Sequence, residues 1–325
     1  MRFLILNTDY AAFTQWLYAQ RQGLENEPYA EQHRVRMATR FGVADFYSRN
    51  LRRWGQVAED VIINSPMQAA WGKTGQTSEW HVTLGKQIQA FKPDAIINLA
   101  MDSLSGEVLR TLAGPNVVLI GQHAAAFTPT MRNVDDYQIL LSSLPPVLDR
   151  FKAMRPDGLC RIEPLALAFE DTILDEVPAQ ERTVPVSFVG GVGGPHYRII
   201  EMLDRVRRTG VSMELYGYGG EGLAGDLSAQ WHGPLWGLDM YRLYGRSKIV
   251  LNAHAGWAGP HRNNMRMYEA GGMGAFVACS MDEYYSAVKD DHYRELRAQE
   301  WRDEVLDKHT YYRRMEELLD VVYRV

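Results

Sequence analysis

Short apolar runs alternate with amphipathic segments along the first half of the chain. Residues 2–6 form an apolar run that is typical of a buried strand in a parallel sheet. Apolar side chains recur every three or four positions over residues 31–54, which predicts a helix that Gly42 weakens. Further predicted strands cover residues 61–64, 95–99 and 116–120, and further predicted helices cover residues 80–91, 106–112 and 135–154, the last with a new start or a kink at Pro145. This alternation predicts an α/β domain with a parallel sheet.

The same alternation returns in the second half after an interruption. Residues 171–183 lose the periodicity and gain acidic residues and proline, which predicts a linker. Predicted strands then cover residues 186–189, 213–216, 248–251 and 275–278, with predicted helices at 196–208, 239–244, from about 264, and 310–325. We therefore expect an N-terminal domain over residues 1–170, the linker, a C-terminal domain over residues 184–308, and a final helix over residues 309–325.

Composition excludes several classes of protein. The net charge of −5 over 325 residues argues against a nucleic-acid binder, because such proteins usually carry a basic excess. The two cysteines, Cys160 and Cys279, lack the spacing of a disulfide framework or a zinc site. The amino-terminal apolar run is too short for a signal peptide, and no apolar stretch approaches the length of a membrane span. The expectation is a cytoplasmic protein without a transmembrane segment.

Residues 247–274 join a predicted strand to a predicted helix through a loop rich in Gly, Pro and Asn. The free N–H groups and the dipole at the start of a helix bind anions. The candidate ligands of a diphosphate at this position are Lys248, Arg262, Asn263, Asn264 and Arg266. The structural alternative is a capped helix with Asn263 or Asn264 as the N-cap and with both arginines in solvent.

Glu269 lies further along the same predicted helix, between apolar and small residues. A carboxylate that is buried alone costs several kcal/mol, so a glutamate at this position is expected to be paired or functional. It could accept hydrogen bonds from two sugar hydroxyls, or it could form an ion pair with Arg266 on the same helix face. A diphosphate at the helix start with a diol one turn deeper describes a nucleotide-sugar.

Other candidate residues follow predicted strands. Asp9, Asp102 and His123 each lie a few residues after a strand, so they are candidates for one wall of a crevice at the carboxyl ends of the sheet. Residues 190–194 form a Gly-rich loop that suits a phosphate, although neither dinucleotide-binding nor P-loop spacing is present, and the glycines equally suit a tight turn. His254 and His261 bracket the 255–260 loop, but no ligand spacing predicts a metal site.

The C-terminal half resembles the CgeB-like glycosyltransferases (spore maturation protein CgeB and its relatives), within the GT-B group. The resemblance covers residues 184–325, and residues 1–160 are similar more loosely, through residues 41–51 and 116–122. The segments that carry it are PVSFVGGVGGPHYR at 185–198, HGPLWGLDMY at 232–241, SKIVLNAHA at 247–255, NNMRMYEAGGMGA at 263–275 and HTYYRRMEELL at 309–319. It implies a GT-B-like α/β fold of two Rossmann-like domains facing across a cleft, with the final helix packing back on the N-terminal domain.

The resemblance also implies roles for individual residues. Asn264, Met265 and Arg266 would lie at the diphosphate, and Glu269 would hold the ribose hydroxyls. The nucleobase would rest on loops near Tyr218 and Trp236. From the sequence pattern itself, Gly193 of the Gly-rich loop and His254 are further candidate donor contacts. Two departures are visible: the wider group has another Glu eight residues before the ribose Glu, where this chain has His261, and the segment between Ala278 and His309 is shorter than in the family.

These observations favour a metal-independent glycosyltransferase that uses a nucleoside-diphosphate-sugar as co-substrate, needs no other cofactor and acts on an unidentified acceptor. If the reaction inverts the sugar, His123 is the preferred base, because its ordinary pKa lies nearest neutrality, and Asp9 and Asp102 follow. If the reaction retains the configuration, no such base is needed. The alternatives are a non-catalytic nucleotide-sugar-binding protein or partner subunit, motivated by the two departures, and a nucleotide-sugar epimerase of the same fold.

Overall fold

The computed structural model describes residues 1–71, 80–193, 198–223, 225–253 and 261–324. The chain divides into two compact units. The first unit comprises Met1–Ala166 together with Arg314–Val325, and the second comprises Leu167–Arg313. Within the described residues, no helix is long and apolar enough to cross a membrane.

A six-stranded parallel sheet forms the centre of the first unit. Its order is β2-β1-β3-β4-β5-β6, so the chain starts inside the sheet and reverses direction after β2. Four consecutive residues of β1 are buried because helices cover both faces of such a sheet. The strands are β1 (Arg2–Asn7), β2 (Val57–Ile62), β3 (Ala95–Asn98), β4 (Val118–Gln122), β5 (Ile139–Ser142) and β6 (Arg161–Pro164).

The described residues of the first unit up to residue 166 contain seven α-helices, and the ends of these helices follow local chemistry. Ser105 caps α6, accepting a hydrogen bond from the Val108 N–H at 3.3 Å. Helix α7 starts at Pro145, where the missing N–H of proline leaves no backbone group unsatisfied. The helices are α1 (Ala11–Gln20), α2 (Tyr29–Ala38), α3 (Phe46–Arg53), α4 (Met67–Trp71), α5 (Trp80–Phe91), α6 (Gly106–Ala113) and α7 (Pro145–Met154).

Two helical predictions for this unit were wrong. The periodic segment at 31–54 is two helices, separated by turns in which Arg40, Gly42 and Ala44 have positive φ angles. Residues 139–142, expected to be helical, form β5, and they pair with β4 on one side and β6 on the other. A four-residue apolar run suits either element, and here the neighbouring strands decide.

A four-stranded parallel sheet in the order β10-β9-β7-β8 forms the centre of the second unit. Its strands are β7 (Val184–Gly191), β8 (Met213–Tyr218), β9 (Ser247–Leu251) and β10 (Phe276–Ala278). The helices after residue 166 are α8 (Ile173–Glu176), α9 (Arg198–Arg207), α10 (Asp226–Ala229), α11 (Leu238–Arg246), α12 (Met265–Gly272), α13 (Met281–Lys289), α14 (Asp291–Lys308) and α15 (Tyr311–Val322).

The core of the second unit joins this sheet to α9 and α13. Ile199, Leu203 and Val206 of α9 are buried, which confirms the inward face predicted from their spacing. They pack in one cluster with side chains of the strands, among them Phe188 and Leu251. Helices α9 and α13 therefore pack against this sheet.

Residues 171–183, expected to form a linker, belong to the second unit. They contain α8, and Ile173 and Val177 are buried. The acidic and proline residues that suggested a linker lie around these two apolar anchors. The final helix, α15, buries Met315, Leu318 and Val322 on one face, as the spacing predicted, and its residues from Arg314 onward count with the first unit.

Candidate active site

The second sheet reverses its winding direction between β7 and β9. From β7 the chain moves to β8 on one side, and β9 and then β10 lie on the other side. In open parallel sheets, ligands bind outside the carboxyl ends of the strands at such a switch point. Gly190 and Gly191 end β7 at this place, and Asn252 follows β9.

Helix α12 opens at the same end of the sheet. Asn264 is its N-cap, with an extended backbone, and its Oδ1 accepts a hydrogen bond from the Arg266 N–H at 2.9 Å. The Asn264 Nδ2 lies 3.5 Å from the carbonyl oxygen of Ala253, just beyond β9. The capping function that the sequence allowed for Asn263 or Asn264 therefore belongs to Asn264. The flanking Asn263 and Met265 are both half-buried.

The capped-helix alternative places Arg266 in solvent. In the structure, its side chain instead bonds to the ends of two strands. Its Nε donates to the carbonyl of Val189 at 2.8 Å, and its Nη1 donates to the Asn252 Oδ1 at 2.8 Å. Its guanidinium also lies 4.6 Å from the centre of the Phe188 ring. Arg266 thus ties the end of β7 to the end of β9 and fixes a positive charge at the switch point.

Glycine is required beside this guanidinium. A Cβ on Gly190 would lie 2.2 Å from the Arg266 Nη2, and a Cβ on Gly191 would lie 2.6 Å from the Tyr218 ring. A Cβ on Gly193 would meet no atom of the described residues within 4 Å, and Gly193 is exposed. The first two glycines therefore serve internal packing, and of these three only Gly193 is open to a ligand.

Glu269 lies one turn along α12 and is 7% exposed. No described residue donates a hydrogen bond to its carboxylate or forms an ion pair with it. Burial raises the pKa of Glu269 to about 7, and the nearby Arg266 charge opposes this rise. The carboxylate is therefore a buried acceptor whose hydrogen-bonding capacity is unused within the described part of the chain.

Arg262 forms an ion pair with a residue of α13. Its guanidinium pairs with Glu283 at 2.8 Å, and Glu283 also accepts the Cys279 N–H at 2.6 Å. The Ser280 hydroxyl caps α13 by accepting the Glu283 N–H at 3.2 Å. Arg262 is more than half exposed, so it remains accessible, but it must leave a carboxylate to reach a diphosphate.

The structure separates Lys248 from this group. Lys248 is the second residue of β9, four residues before Asn252, which is about 13 Å along a strand. It lines a cavity with Gly245 and Gly274, which precede β9 and β10. Proximity in sequence suggested a shared site, whereas the direction of the strand places Lys248 at the opposite edge of the sheet.

The remaining donor-side candidates differ in exposure. Tyr218 ends β8 and is 40% exposed, which suits a side chain that meets a ligand. Trp236, in the loop before α11, is buried, so it does not present an open face. His254 lies outside the described residues.

In the first unit, Asp9, Asp102 and His123 follow β1, β3 and β4, which are neighbours in the sheet. The three side chains therefore lie at one edge of that sheet, as expected. Asp9 is already paired: its two carboxylate oxygens accept from buried Arg36 at 2.5 and 3.0 Å. Both oxygens of this carboxylate are therefore already occupied by one arginine.

His123 is the better base of the three. It is buried, and its Nε2 lies 3.2 Å from the carbonyl oxygen of Ala126. Burial lowers the pKa of His123, while the Ala126 carbonyl and the charge of Asp102 act in the opposite direction. A lowered pKa keeps the imidazole neutral near pH 7, and the neutral form can accept a proton. Asp102 itself is exposed.

Two functional residues escaped the sequence analysis. Asn252, which orients Arg266, follows an apolar strand directly, and a polar residue in that place was a usable signal. Arg36, which forms an ion pair with Asp9, lies 27 positions away in a predicted helix, and nothing in its local sequence indicates this pairing.

The chain has an α/β fold with a parallel sheet in each of two units, and the solved structures with a similar fold include GT-B glycosyltransferases. Residues 198–290 match the model of a family described as glycosyl transferase-like. The matched region contains β9, α12 and Glu269. It identifies no subfamily, so the CgeB-like type stays a resemblance. No curated protein sequence matches the chain.

Several solved structures share the fold over nearly the whole chain. A glycosyltransferase from Rickettsia africae superposes with a TM-score of 0.60 at 10% identity, covering 98% of this chain and 97% of that one. The T4 phage β-glucosyltransferase with its UDP-glucose substrate gives 0.54 at 9% identity, covering 100% and 99%. The UDP-GlcNAc 2-epimerase of Neisseria meningitidis, bound to UDP-GlcNAc, gives 0.53 at 9% identity, covering 100% of both chains. At such identities the likeness shows the fold alone.

Proposed function

We propose that this protein is a glycosyltransferase that moves a sugar from a nucleoside-diphosphate-sugar to an acceptor hydroxyl. The observation that carries the proposal is the unused buried carboxylate of Glu269, one turn behind a capped helix start at the switch point of a parallel sheet. A ribose offers two adjacent hydroxyl donors, and a carboxylate accepts both. The glycosyl transferase-like match over residues 198–290 supports the same reading.

The diphosphate is expected at the start of α12. The dipole of α12 favours an anion at the start of this helix, and Gly193 is exposed just after β7, at the same end of the sheet. Arg266 supplies a fixed positive charge behind this position. When the bond between the sugar and the diphosphate breaks, its electron pair goes to a phosphate oxygen, and these groups stabilise the charge that develops.

We propose that no metal ion is required, because the protein itself supplies positive charge for the leaving group. Donor turnover should then be the same in EDTA and in millimolar Mg²⁺ or Mn²⁺. A loss of turnover in EDTA that either metal restores would reject metal independence while leaving the transferase assignment in place.

If the reaction inverts the sugar, His123 is the proposed base. It would take the proton of the acceptor hydroxyl as that oxygen bonds to the anomeric carbon. His123→Gln should then lower kcat by at least about a hundredfold, the usual contribution of a positioned base, with donor affinity unchanged. An unchanged kcat would mean that the reaction retains the configuration or that another group acts as base.

The deciding experiment incubates the purified protein with UDP-, GDP- and dTDP-sugars. Thermal shift reports binding, release of the nucleoside diphosphate reports turnover, and analysis of the recovered sugar nucleotide reports epimerisation. Binding with donor turnover supports the transferase. Conversion of the donor into its epimer would support the epimerase, whose fold the chain shares.

A second candidate function is nucleotide-sugar binding without transfer. It is favoured by the ion pair between Asp9 and Arg36, which removes one of three possible bases. Binding without turnover, across donors and a panel of sugar, lipid and peptide acceptors, would establish it.

Glu269→Gln tests the donor site itself. The amide cannot accept both ribose hydroxyls in the same way and carries no charge, so we expect donor affinity to fall at least tenfold. Glu300→Gln is the matched control, because Glu300 pairs with Arg297 on the exposed surface of α14 in the same unit. Equal affinity in both variants would remove Glu269 from the site.

A further inference from the structure

A cavity lies within the second unit, at the end of the sheet opposite the proposed donor site. Its volume is about 400 Å³. Residues at the amino ends of the strands line it, among them Gly245 and Lys248 at β9 and Met273 and Gly274 before β10. One face of α14 and the buried segment around Val177 close the other sides. Because all four strands are parallel, this cavity and the start of α12 lie at different ends of the sheet.

Basic residues outnumber acidic residues in the described lining of this cavity. Four basic residues, Arg182, Lys248, Arg294 and Arg302, face the cavity, and Glu295 is the only acidic residue in the described part of the lining. Glu295 lies 3.6 Å from Arg294, which also pairs with Asp291 outside the lining. Among the described residues, no carboxylate forms an ion pair with the other three.

The like charges also act on one another. Burial lowers the pKa of Arg182, and the charges of Arg302 and Arg294 lower it further. A Cβ on Gly274 would lie 2.7 Å from the Arg182 Nη2 and 3.0 Å from the Arg302 Cδ, so the two arginines meet at this glycine. Such repulsion between half-buried cations is relieved when an anion binds between them.

Hydrogen bonds to backbone carbonyls occupy Arg182, but they leave donors of Arg302 and Lys248 unused among the described residues. Arg182 donates to the carbonyls of Ser247 and Met273 at 2.8 and 3.0 Å, which anchors the start of β9 and the end of α12. Arg302 donates only its Nε, to the Gly272 carbonyl at 3.3 Å. Its two Nη groups and the Lys248 amine have no hydrogen-bond acceptor among the described residues. These donors are available to a ligand.

We propose that this cavity binds a phosphate group of a small molecule, separately from the nucleotide-sugar. Arg302 offers the planar pair of donors that matches phosphate oxygens, and Lys248 adds a mobile charge at the rim. The apolar side chains of Leu174, Val177 and Ala298 line the rest of the cavity, so the phosphate is expected to carry an apolar or uncharged remainder.

The test is a titration of the full-length protein with inorganic phosphate, read as a thermal shift against chloride at equal ionic strength. Phosphate should raise the melting temperature of the wild type. Arg302→Gln and Lys248→Gln should each weaken phosphate binding about tenfold, the effect of losing a charge-assisted hydrogen bond. If Arg302→Gln folds poorly, Lys248→Gln still decides, because Lys248 is exposed.

Arg297→Gln is the matched control. Arg297 lies on the exposed face of α14, paired with Glu300, so its variant should bind phosphate as the wild type does. Wild-type protein that responds no more to phosphate than to chloride would overturn the proposal, as would undiminished binding in Lys248→Gln.

Arg266→Gln separates this site from the donor site. Phosphate binding that survives Arg266→Gln but not Lys248→Gln supports the cavity whether or not the glycosyltransferase proposal holds. Phosphate binding lost only in Arg266→Gln would assign the anion to the start of α12 and reject the cavity.

Discussion

Glu269 weakens the folded protein when no ligand is bound. Its pKa is about 7 in the fold, against an ordinary value of 4.5. Between these values the folded state holds a proton that the unfolded state has lost, so stability falls as the pH rises through this window. Above pH 7 the full cost applies, about 3 kcal/mol from the size of the shift.

Glu269→Gln should therefore stabilise the ligand-free protein. We expect a higher free energy of unfolding at pH 8, by roughly 1–3 kcal/mol, and little gain at pH 4, where the carboxyl is protonated in both states. Urea unfolding at the two pH values measures this. An equal gain at both would contradict the charge-based explanation.

Asp60 provides a matched comparison. Burial raises the pKa of this β2 carboxyl to about 7 as well, and the Ser48 hydroxyl donates to it. Asp60→Asn should show the same pH-dependent gain in stability but leave nucleotide-sugar affinity unchanged, because Asp60 belongs to the first unit. A raised pKa alone thus does not mark a site.

Donor affinity should depend on pH through Glu269. The charged carboxylate accepts both ribose hydroxyls, so binding should strengthen as the pH rises from 6 to 8. A sugar-linked diphosphate has no ionisation in this range, so a nucleotide-sugar is a better probe than a free nucleoside diphosphate. Calorimetric titration of wild type and Glu269→Gln measures the effect, and a slope that persists in the variant would assign it elsewhere.

Helix α12 is positioned by close contacts at its carboxyl end. A Cβ on Gly271 would lie 2.3 Å from the Trp301 Nε1, and a Cβ on Gly272 would lie 2.4 Å from the Phe169 ring. The same indole donates to the Met267 carbonyl at 3.0 Å. These rings hold the whole helix, and with it Glu269, against α14 and residue 169.

Gly272→Ala should consequently lower the free energy of unfolding by about 1–3 kcal/mol, because the Phe169 ring is fully buried and must move. Gly193→Ala is the control for stability: its Cβ meets no atom within 4 Å in the part of the chain that the structure describes, so its melting temperature should not change. If Gly193 borders the diphosphate, however, its variant should bind donor more weakly. Equal stability of the two variants would show that α12 can shift.

At the level of the whole molecule, the last residues of the chain stabilise the first unit. Arg314 donates to the Ala166 carbonyl at 3.1 Å, and Met315 and Leu318 are buried. Residues 314–325 therefore count with residues 1–166 rather than with the unit that precedes them.

Leu318→Ala should destabilise the first unit by about 2–5 kcal/mol, the cost of a buried cavity. Asp320→Ala, on the exposed face of the same helix, should have little effect. Hydrogen exchange resolved by peptide locates the change. Loss of protection confined to residues 167–313 would contradict the assignment of this segment.

Much of the element order could be predicted because burial imposes a period on the sequence. The strand starting at Arg2, the helix Trp80–Phe91 and the inward face of α9 follow from apolar spacing alone. Residues 139–142 could not be assigned in this way, because an apolar run of four has no period and becomes a strand through its neighbours. The segment 171–183 was misjudged because two apolar side chains suffice to anchor it.

The features of the candidate site also divide into those that local sequence determines and those that the tertiary structure determines. Local sequence determined what depends on adjacent residues: an asparagine cap at position 263 or 264, the helix that carries Glu269, and the polar residues that follow strands. Tertiary structure alone decided what depends on distant ones. The tertiary structure directs Arg266 towards Val189 and pairs Asp9 with Arg36. It also places Lys248 at the amino ends of the strands, opposite the start of α12. The reason is physical: capping and periodicity act within a few residues, whereas burial and charge pairing act between residues that only the fold brings together.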